Sequence, residues 1–139
     1  MIEICNHIRW LYELGKDTID LPYFRSFPKN SCEGASLFLG AYLKEVFPNS
    51  NIVYVKGYNK HGAIHFWLEI DGKVFDPTLD QFDGFDSPLW SADSHPLKTV
   101  FADIDRQEIS EAFKSSDVTN STYKNSLMVE IRYFLEQNV

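Results

Sequence analysis

The stretch from His65 to Thr78, His-Phe-Trp-Leu-Glu-Ile-Asp-Gly-Lys-Val-Phe-Asp-Pro-Thr, decides the fold of this chain. Apolar and polar residues alternate on both sides of Asp71-Gly72, and this alternation is typical of strands that bury one face. Asp-Gly between two such runs favours a two-residue hairpin turn, because these residues tolerate the positive φ that the turn requires. The stretch therefore predicts a β-hairpin.

The two-residue turn also determines which residues face each other across the hairpin. If Ile70 pairs with Lys73, then Trp67 lies opposite Asp76, and both side chains share a face with His65. His65 and Asp76 are then diagonal neighbours with Cα atoms roughly 7–8 Å apart, within reach of an imidazole–carboxylate hydrogen bond. The residues expected on the opposite face, against a helix, are Ile64, Phe66, Leu68 and Ile70.

Apolar periodicity and turn residues predict the remaining elements, and residues 79–96 are expected to be irregular. The predicted helices are one over 2–15, a second from Asn30 or Ser31 to before Pro48, a short one from an Asp105 cap to Phe113, and a C-terminal one containing Tyr123 and Phe134. The second helix is expected to bury Ala35, Leu39, Leu43 and Val46. Strands are predicted over 51–58, 63–70 and 97–101. We expect an α+β fold with N-terminal helices packed on an antiparallel sheet, forming a single domain over 1–139.

Composition and charge exclude several classes of protein. The chain has 13 Lys and Arg against 20 Asp and Glu, a net charge of −7, which argues against binding nucleic acid or anionic membranes. Hydrophobic residues make up 44%, enough for a folded core. The N-terminus lacks the features of a secretory signal and no apolar stretch is long enough to span a bilayer, so we expect a cytoplasmic protein. The oligomeric state is not indicated.

The two cysteines differ in their predicted surroundings. Cys5 lies beside Ile4 and Ile8 on an amphipathic segment and is expected to be a buried, free thiol. Cys32 falls in the first turn of the second helix, where the helix dipole and free backbone N–H groups favour a thiolate. With His65 as base and Asp76 to orient it, Cys32 makes an activated nucleophile. Singly, each of the three also fits a structural role.

The residues His65-Phe-Trp-Leu-Glu and Phe75-Asp-Pro-Thr, preceded by Ser31-Cys32, resemble the motifs of the transglutaminase-like superfamily of papain-like cysteine enzymes. The resemblance covers about residues 30–82. It implies that Cys32 is the nucleophile, that His65 is base and acid, and that Asp76 orients His65. It also implies a papain-like core and a protein or peptide substrate whose amide or acyl bond is hydrolysed or transferred, as by proteases, deamidases and transglutaminases. Candidates for substrate binding or oxyanion stabilisation are Asn30, Trp67 and Gln81.

Several alternatives stay open. Glu33 follows the proposed nucleophile, and its charge opposes thiolate formation unless it is paired or turned away. A zinc site would need three or four convergent ligands, and the possible ones are His61, His65, Cys32, Asp76 and His95; we expect no metal and no cofactor. A different class of function is a catalytically inactive protein-binding module on the same fold, such as an acidic immunity-type protein.

Overall fold

The computed structural model describes residues 1–138 and has an α+β fold. Its helices are α1 (Ile2–Gly15), α2 (Cys32–Val46), α3 (Ile109–Ser115) and α4 (Ser121–Asn138), and its strands are β1 (Ile52–Tyr58), β2 (Ile64–Ile70), β3 (Lys73–Asp76), β4 (Leu89–Ala92) and β5 (Asp103–Glu108). Single turns of 3₁₀ helix cover Phe24–Ser26 and Leu79–Gln81. Among residues 1–138, no helix has the length and apolarity needed to cross a membrane.

The five strands form one antiparallel sheet in the order β4-β3-β2-β1-β5. The predicted hairpin register is confirmed, because Ile70 pairs with Lys73, and one further step of the same register brings Trp67 opposite Asp76. The turn residues Asp71 and Gly72 both have a positive φ, as a two-residue turn of this kind requires. The hairpin therefore places His65, Trp67 and Asp76 on one face of the sheet.

Helix α2 is the central element of the apolar core. It packs against β1 and β2 on one side and contacts the other three helices, so most of its surface is buried. Gly40 allows this close packing, because a Cβ there would lie 2.6 Å from Ile109 Cδ1. Ala35, Leu39 and Leu43 are buried as predicted, but the prediction for Val46 is wrong: it lies at the C-terminal end of α2 and is 41% exposed.

The opposite face of the sheet carries a second, smaller core. Its buried members are Val55, Trp67, Val74 and Phe101, and the segment 93–102 between β4 and β5 supplies part of its cover. Gly57 makes room for the indole ring, since a Cβ there would lie 2.7 Å from Trp67 Cη2. His65 and Asp76 point into this aromatic layer rather than into the core around α2.

Three sequence-based assignments near the C-terminal half are wrong. Residues 97–101 form turns rather than a strand, and β4 lies within the segment expected to be irregular. Asp105 does not cap a helix, because it lies in edge strand β5 and pairs with Lys56. The N-cap of α3 is Glu108, whose carboxylate accepts a hydrogen bond from the Ser110 backbone N–H. Polar side chains on this exposed edge hide the alternation that would have identified a strand.

Candidate active site

Three elements bring the predicted catalytic residues together. Cys32 is the first residue of α2, His65 is the second residue of β2, and Asp76 is the last residue of β3. His65 Nε2 lies 2.7 Å from Asp76 Oδ2, so the contact predicted from the hairpin register is present. The thiol of Cys32 lies near enough to the imidazole of His65 to contribute to its electrostatic environment.

The carboxylate of Asp76 is completely buried and fully hydrogen-bonded. Oδ2 accepts from His65 Nε2 at 2.7 Å and from His95 Nε2 at 2.8 Å, while Oδ1 accepts from the Thr78 backbone N–H at 3.0 Å. A buried charge is tolerated when donors surround it in this way. Asp76 is therefore a carboxylate that holds two imidazole rings in fixed positions.

Burial and charge act in opposite directions on the His65–Asp76 pair. Burial by itself would lower the pKa of His65, but the charge and hydrogen bond of Asp76, followed by Cys32, raise this pKa to about 10. Burial would raise the pKa of Asp76, but His65 and His95 together hold it well below its usual range. These shifts favour the charged form of both residues, an imidazolium and a carboxylate, and the bond to Asp76 uses His65 Nε2 and leaves Nδ1 as the other ring nitrogen.

The start of α2 leaves backbone donors beside Cys32. Ser31 is the N-cap residue, yet its hydroxyl donates to the Pro28 carbonyl and not to the helix. The first backbone bond into the helix runs from the Ala35 N–H to the Ser31 carbonyl. Helix starts of this type present unpaired N–H groups and a positive potential to whatever lies in front of them.

Gln81 links the 3₁₀ turn after β3 to both sides of this site. Its Nε2 donates to Thr78 Oγ1 at 3.0 Å and lies 3.4 Å from His65 Nδ1, and its Oε1 accepts from the Asn30 N–H at 3.3 Å. Asn30 has a φ of 57°, so the chain turns sharply just before Cys32. Both residues predicted as oxyanion candidates therefore lie next to Cys32 or His65.

Trp67, the third of these candidates, is 1% exposed and packs behind the site. Its ring centroid lies 4.5 Å from that of His95 and 5.6 Å from that of His65. Its indole Nε1 has no hydrogen-bond partner among the described residues. The position is one of packing against the two histidines, without a surface on which a substrate can lie.

His95 is the fourth member of this cluster, and the sequence predicts no catalytic role for it. It comes from the segment 93–102 and is 4% exposed. Its Nδ1 accepts the Leu97 backbone N–H at 3.0 Å, so the neutral ring carries its proton on Nε2 and donates it to Asp76. An isolated histidine in an irregular segment offers no pattern by which its partner can be identified from sequence.

The hydrogen bond from the Leu97 N–H to His95 Nδ1 also decides whether the site suits a metal. His65, Asp76 and His95 are the group of possible ligands whose atoms lie within 4.8 Å of one another. A metal on His95 Nε2 would require a proton on Nδ1, where the Leu97 N–H already points. The donor set therefore suits a hydrogen-bonded network and does not suit a metal. His61 is exposed in the turn between β1 and β2 and is not a member of this group.

A groove of about 440 Å³ is lined by Glu33, the residue that follows Cys32, and by residues of β1, β2 and β5. Glu33, Tyr54, Lys56 and Phe66 line part of it, and the Tyr54 hydroxyl donates to the Glu33 carbonyl at 2.9 Å. Burial and the nearby charge of Asp117 raise the pKa of Glu33, and Lys56 opposes this effect. The Glu33 carboxylate thus belongs to the groove, and Lys56 offsets part of its charge.

Comparisons with models of known protein families, with curated proteins and with solved structures found no match for this chain.

Proposed function

We propose that this protein is a cysteine-dependent amide hydrolase or acyltransferase with a transglutaminase-like, papain-like core, in which Cys32, His65 and Asp76 form the catalytic triad. The observation that carries the proposal is the buried His65–Asp76 pair, whose Nε2···Oδ2 distance is 2.7 Å, with a cysteine at a helix start close enough to act on the His65 ring. The order of the three residues along the chain and the motifs around them support the same assignment. The substrate is a protein or peptide.

The first half of the reaction uses the proton on His65 Nδ1. The Cys32 thiolate attacks the carbonyl carbon of the substrate, and a C–S bond forms while the oxygen takes the negative charge. His65 Nδ1–H then protonates the leaving nitrogen as the C–N bond breaks, which leaves a thioester on Cys32. Asp76 keeps the imidazole oriented and stabilises its positive charge.

The second half reverses the direction of proton transfer. Water or an amine attacks the thioester carbonyl, and neutral His65 Nδ1 accepts the proton from the attacking group. The C–S bond breaks, the thiolate re-forms against the imidazolium, and the product is an acid or a new amide. The backbone N–H of Cys32 and Gln81 Nε2 are the donors available for the oxyanion in both halves. The groove lined by Glu33, the residue that follows Cys32, is the proposed site for the substrate chain.

Selective alkylation tests this proposal, with Cys5 as an internal control. Iodoacetamide is expected to modify Cys32 at least about 100-fold faster than Cys5 at pH 6.5, because only Cys32 has an imidazolium partner. Mass spectrometry of the two cysteine peptides measures both rates in one sample. Equal rates at the two cysteines would contradict the proposal, and Cys32→Ala tests it independently by removing turnover of peptide-amide substrates.

Protein binding without catalysis is the second candidate, and the low exposure of the cluster favours it. Cys32 is 8% exposed, His65 1% and Asp76 0%, as expected if the cluster stabilises the fold. In that case Cys32→Ala would lower the melting temperature by several degrees, and the parent protein would turn over no amide substrate. A catalytic cluster instead predicts loss of turnover with Cys32→Ala and little change in melting temperature.

A further inference from the structure

His95 and His65 share a single oxygen of Asp76. Both Nε2 atoms bond to Oδ2, at 2.8 Å and 2.7 Å, and the two ring centroids lie 5.7 Å apart at a steep angle. A carboxylate oxygen has two lone pairs, so these two N–H groups use both of them. The other oxygen is held by the Thr78 N–H. No rotation of the carboxylate is possible without breaking one of these bonds.

The hydrogen bonds of His95 use both of its ring nitrogens, one as a donor and one as an acceptor. Its Nδ1 accepts the Leu97 N–H at 3.0 Å, so protonation of this ring would require that bond to break. The groups that face it are Asp76 from β3, and Trp67 and His65 from β2. With both ring nitrogens engaged, the tautomer is fixed and Nε2–H points at Asp76.

We propose that His95 is a positioning residue, whose Nε2–H fixes the plane of the Asp76 carboxylate and takes part of the negative charge that His65 would otherwise receive. This inference rests on the proposed function for its catalytic meaning, but the hydrogen-bond geometry stands without it. Sharing Oδ2 weakens the bond from Asp76 to His65, and a weaker bond leaves His65 Nδ1 a better proton donor to the leaving group. His95 thus tunes the base without touching Cys32.

Two amide substitutions separate the bond to Asp76 from the bond to Leu97. His95→Asn places an oxygen near the position of Nδ1 and retains an acceptor for the Leu97 N–H, but it is too short to donate to Asp76. His95→Gln places an N–H near the position of Nε2 and retains the donor to Asp76. If His95 only holds the segment 93–102 in place through Leu97, the Asn variant should behave like the wild type. If His95 positions Asp76, the Gln variant should do so instead.

Nuclear magnetic resonance of the histidine side chains provides the readout. In His95→Asn, Asp76 Oδ2 bonds to His65 alone. The resonance of the proton on His65 Nε2 is therefore expected to move downfield at pH 6, and the titration midpoint of His65 is expected to rise by about one pH unit. In His95→Gln, both are expected to stay at the wild-type values. Equal changes in the two variants, or none in either, would overturn the proposal.

A measurement on the wild-type protein covers the case in which His95→Asn fails to fold. The ¹⁵N shifts of His95 must show the tautomer with its proton on Nε2, and the opposite tautomer would overturn the proposal. Failure of the proposed function is a separate result. An inert Cys32 together with a shifted His65 in His95→Asn would reject catalysis and retain the positioning role, while a reactive Cys32 with an unshifted His65 would reject only the role of His95.

Discussion

Cys5 and Cys32 are both buried, but the regions around them differ in chemistry. Cys5 lies in α1 among apolar side chains, with 0% exposure, and burial raises the pKa of its thiol to about 12. Cys32, with 8% exposure, lies at the first position of α2 beside the imidazole of His65. The comparison shows that burial alone makes a cysteine a small hydrophobic residue, and that a nearby cationic ring and a helix start are what can make one reactive.

The largest expected effect comes from replacing His65, the residue that distinguishes the surroundings of Cys32 from those of Cys5. His65→Gln is expected to slow alkylation of Cys32 by about 100-fold at pH 6, because the variant lacks the imidazolium that we propose as the partner of Cys32. The rate at Cys5 is expected to stay the same, since His65 is not part of its surroundings. Peptide mass spectrometry after timed iodoacetamide treatment measures both.

The control for this experiment is circular dichroism of the variant at the same pH. A folded variant in which Cys32 retains its wild-type rate would show that the difference between the cysteines comes from the helix start alone.

A second prediction concerns how stability depends on pH, and it tests the contribution of the His65–Asp76 ion pair. The raised pKa of His65, about 10 in the folded state, contributes stability that is complete below its unfolded value near 6.5 and is lost as the pH rises to about 10. The lowered pKa of Asp76 contributes stability present above about pH 4 and lost in stronger acid. We therefore expect wild-type stability to fall by up to about 4 kcal/mol between pH 6.5 and 10.

Asp76→Asn is the matched variant for this measurement, because it keeps the shape of the side chain and removes the charge. Its melting temperature is expected to be lower at pH 6 and to decline much less above pH 6.5. Ionisation of Cys5 in the unfolded chain destabilises both proteins above pH 9 equally, so the difference between the two curves isolates the pair. Parallel curves would show that His65 is neutral in the folded protein.

The smallest expected effect tests whether the residue after Cys32 opposes its reactivity. Glu33→Gln removes a half-buried carboxylate whose charge Lys56 already offsets in part. We expect alkylation of Cys32 to accelerate by only about two- to threefold at pH 6.5, as for a partly screened charge near a protein surface. Cys5 again serves as the reference. An acceleration above tenfold would mean that Glu33 controls the nucleophile directly.

Local sequence patterns contain enough information for the hairpin and for α2. The Asp71-Gly72 turn and the alternation around it act within fourteen residues, and the register that follows brings His65 and Asp76 into contact. The assignment of a helix start at Asp105 failed because Asp is a common N-cap residue, while pairing with β1 decides the conformation of this segment. A local preference of this size is readily overridden by a ladder of backbone hydrogen bonds.

The sequence by itself determined the hairpin, the position of Cys32 at a helix start and the His65–Asp76 contact, because each depends on periodicity or on a turn of defined length. Only the tertiary structure decided the partners that complete the site. Gln81 reaches His65 and Asn30 through the 3₁₀ turn after β3, and His95 reaches Asp76 from the segment that covers the second face of the sheet. Irregular segments carry no repeating pattern from which their contacts can be predicted. Their contacts depend on how the chain packs over the sheet and on which buried polar groups lack a hydrogen-bond partner.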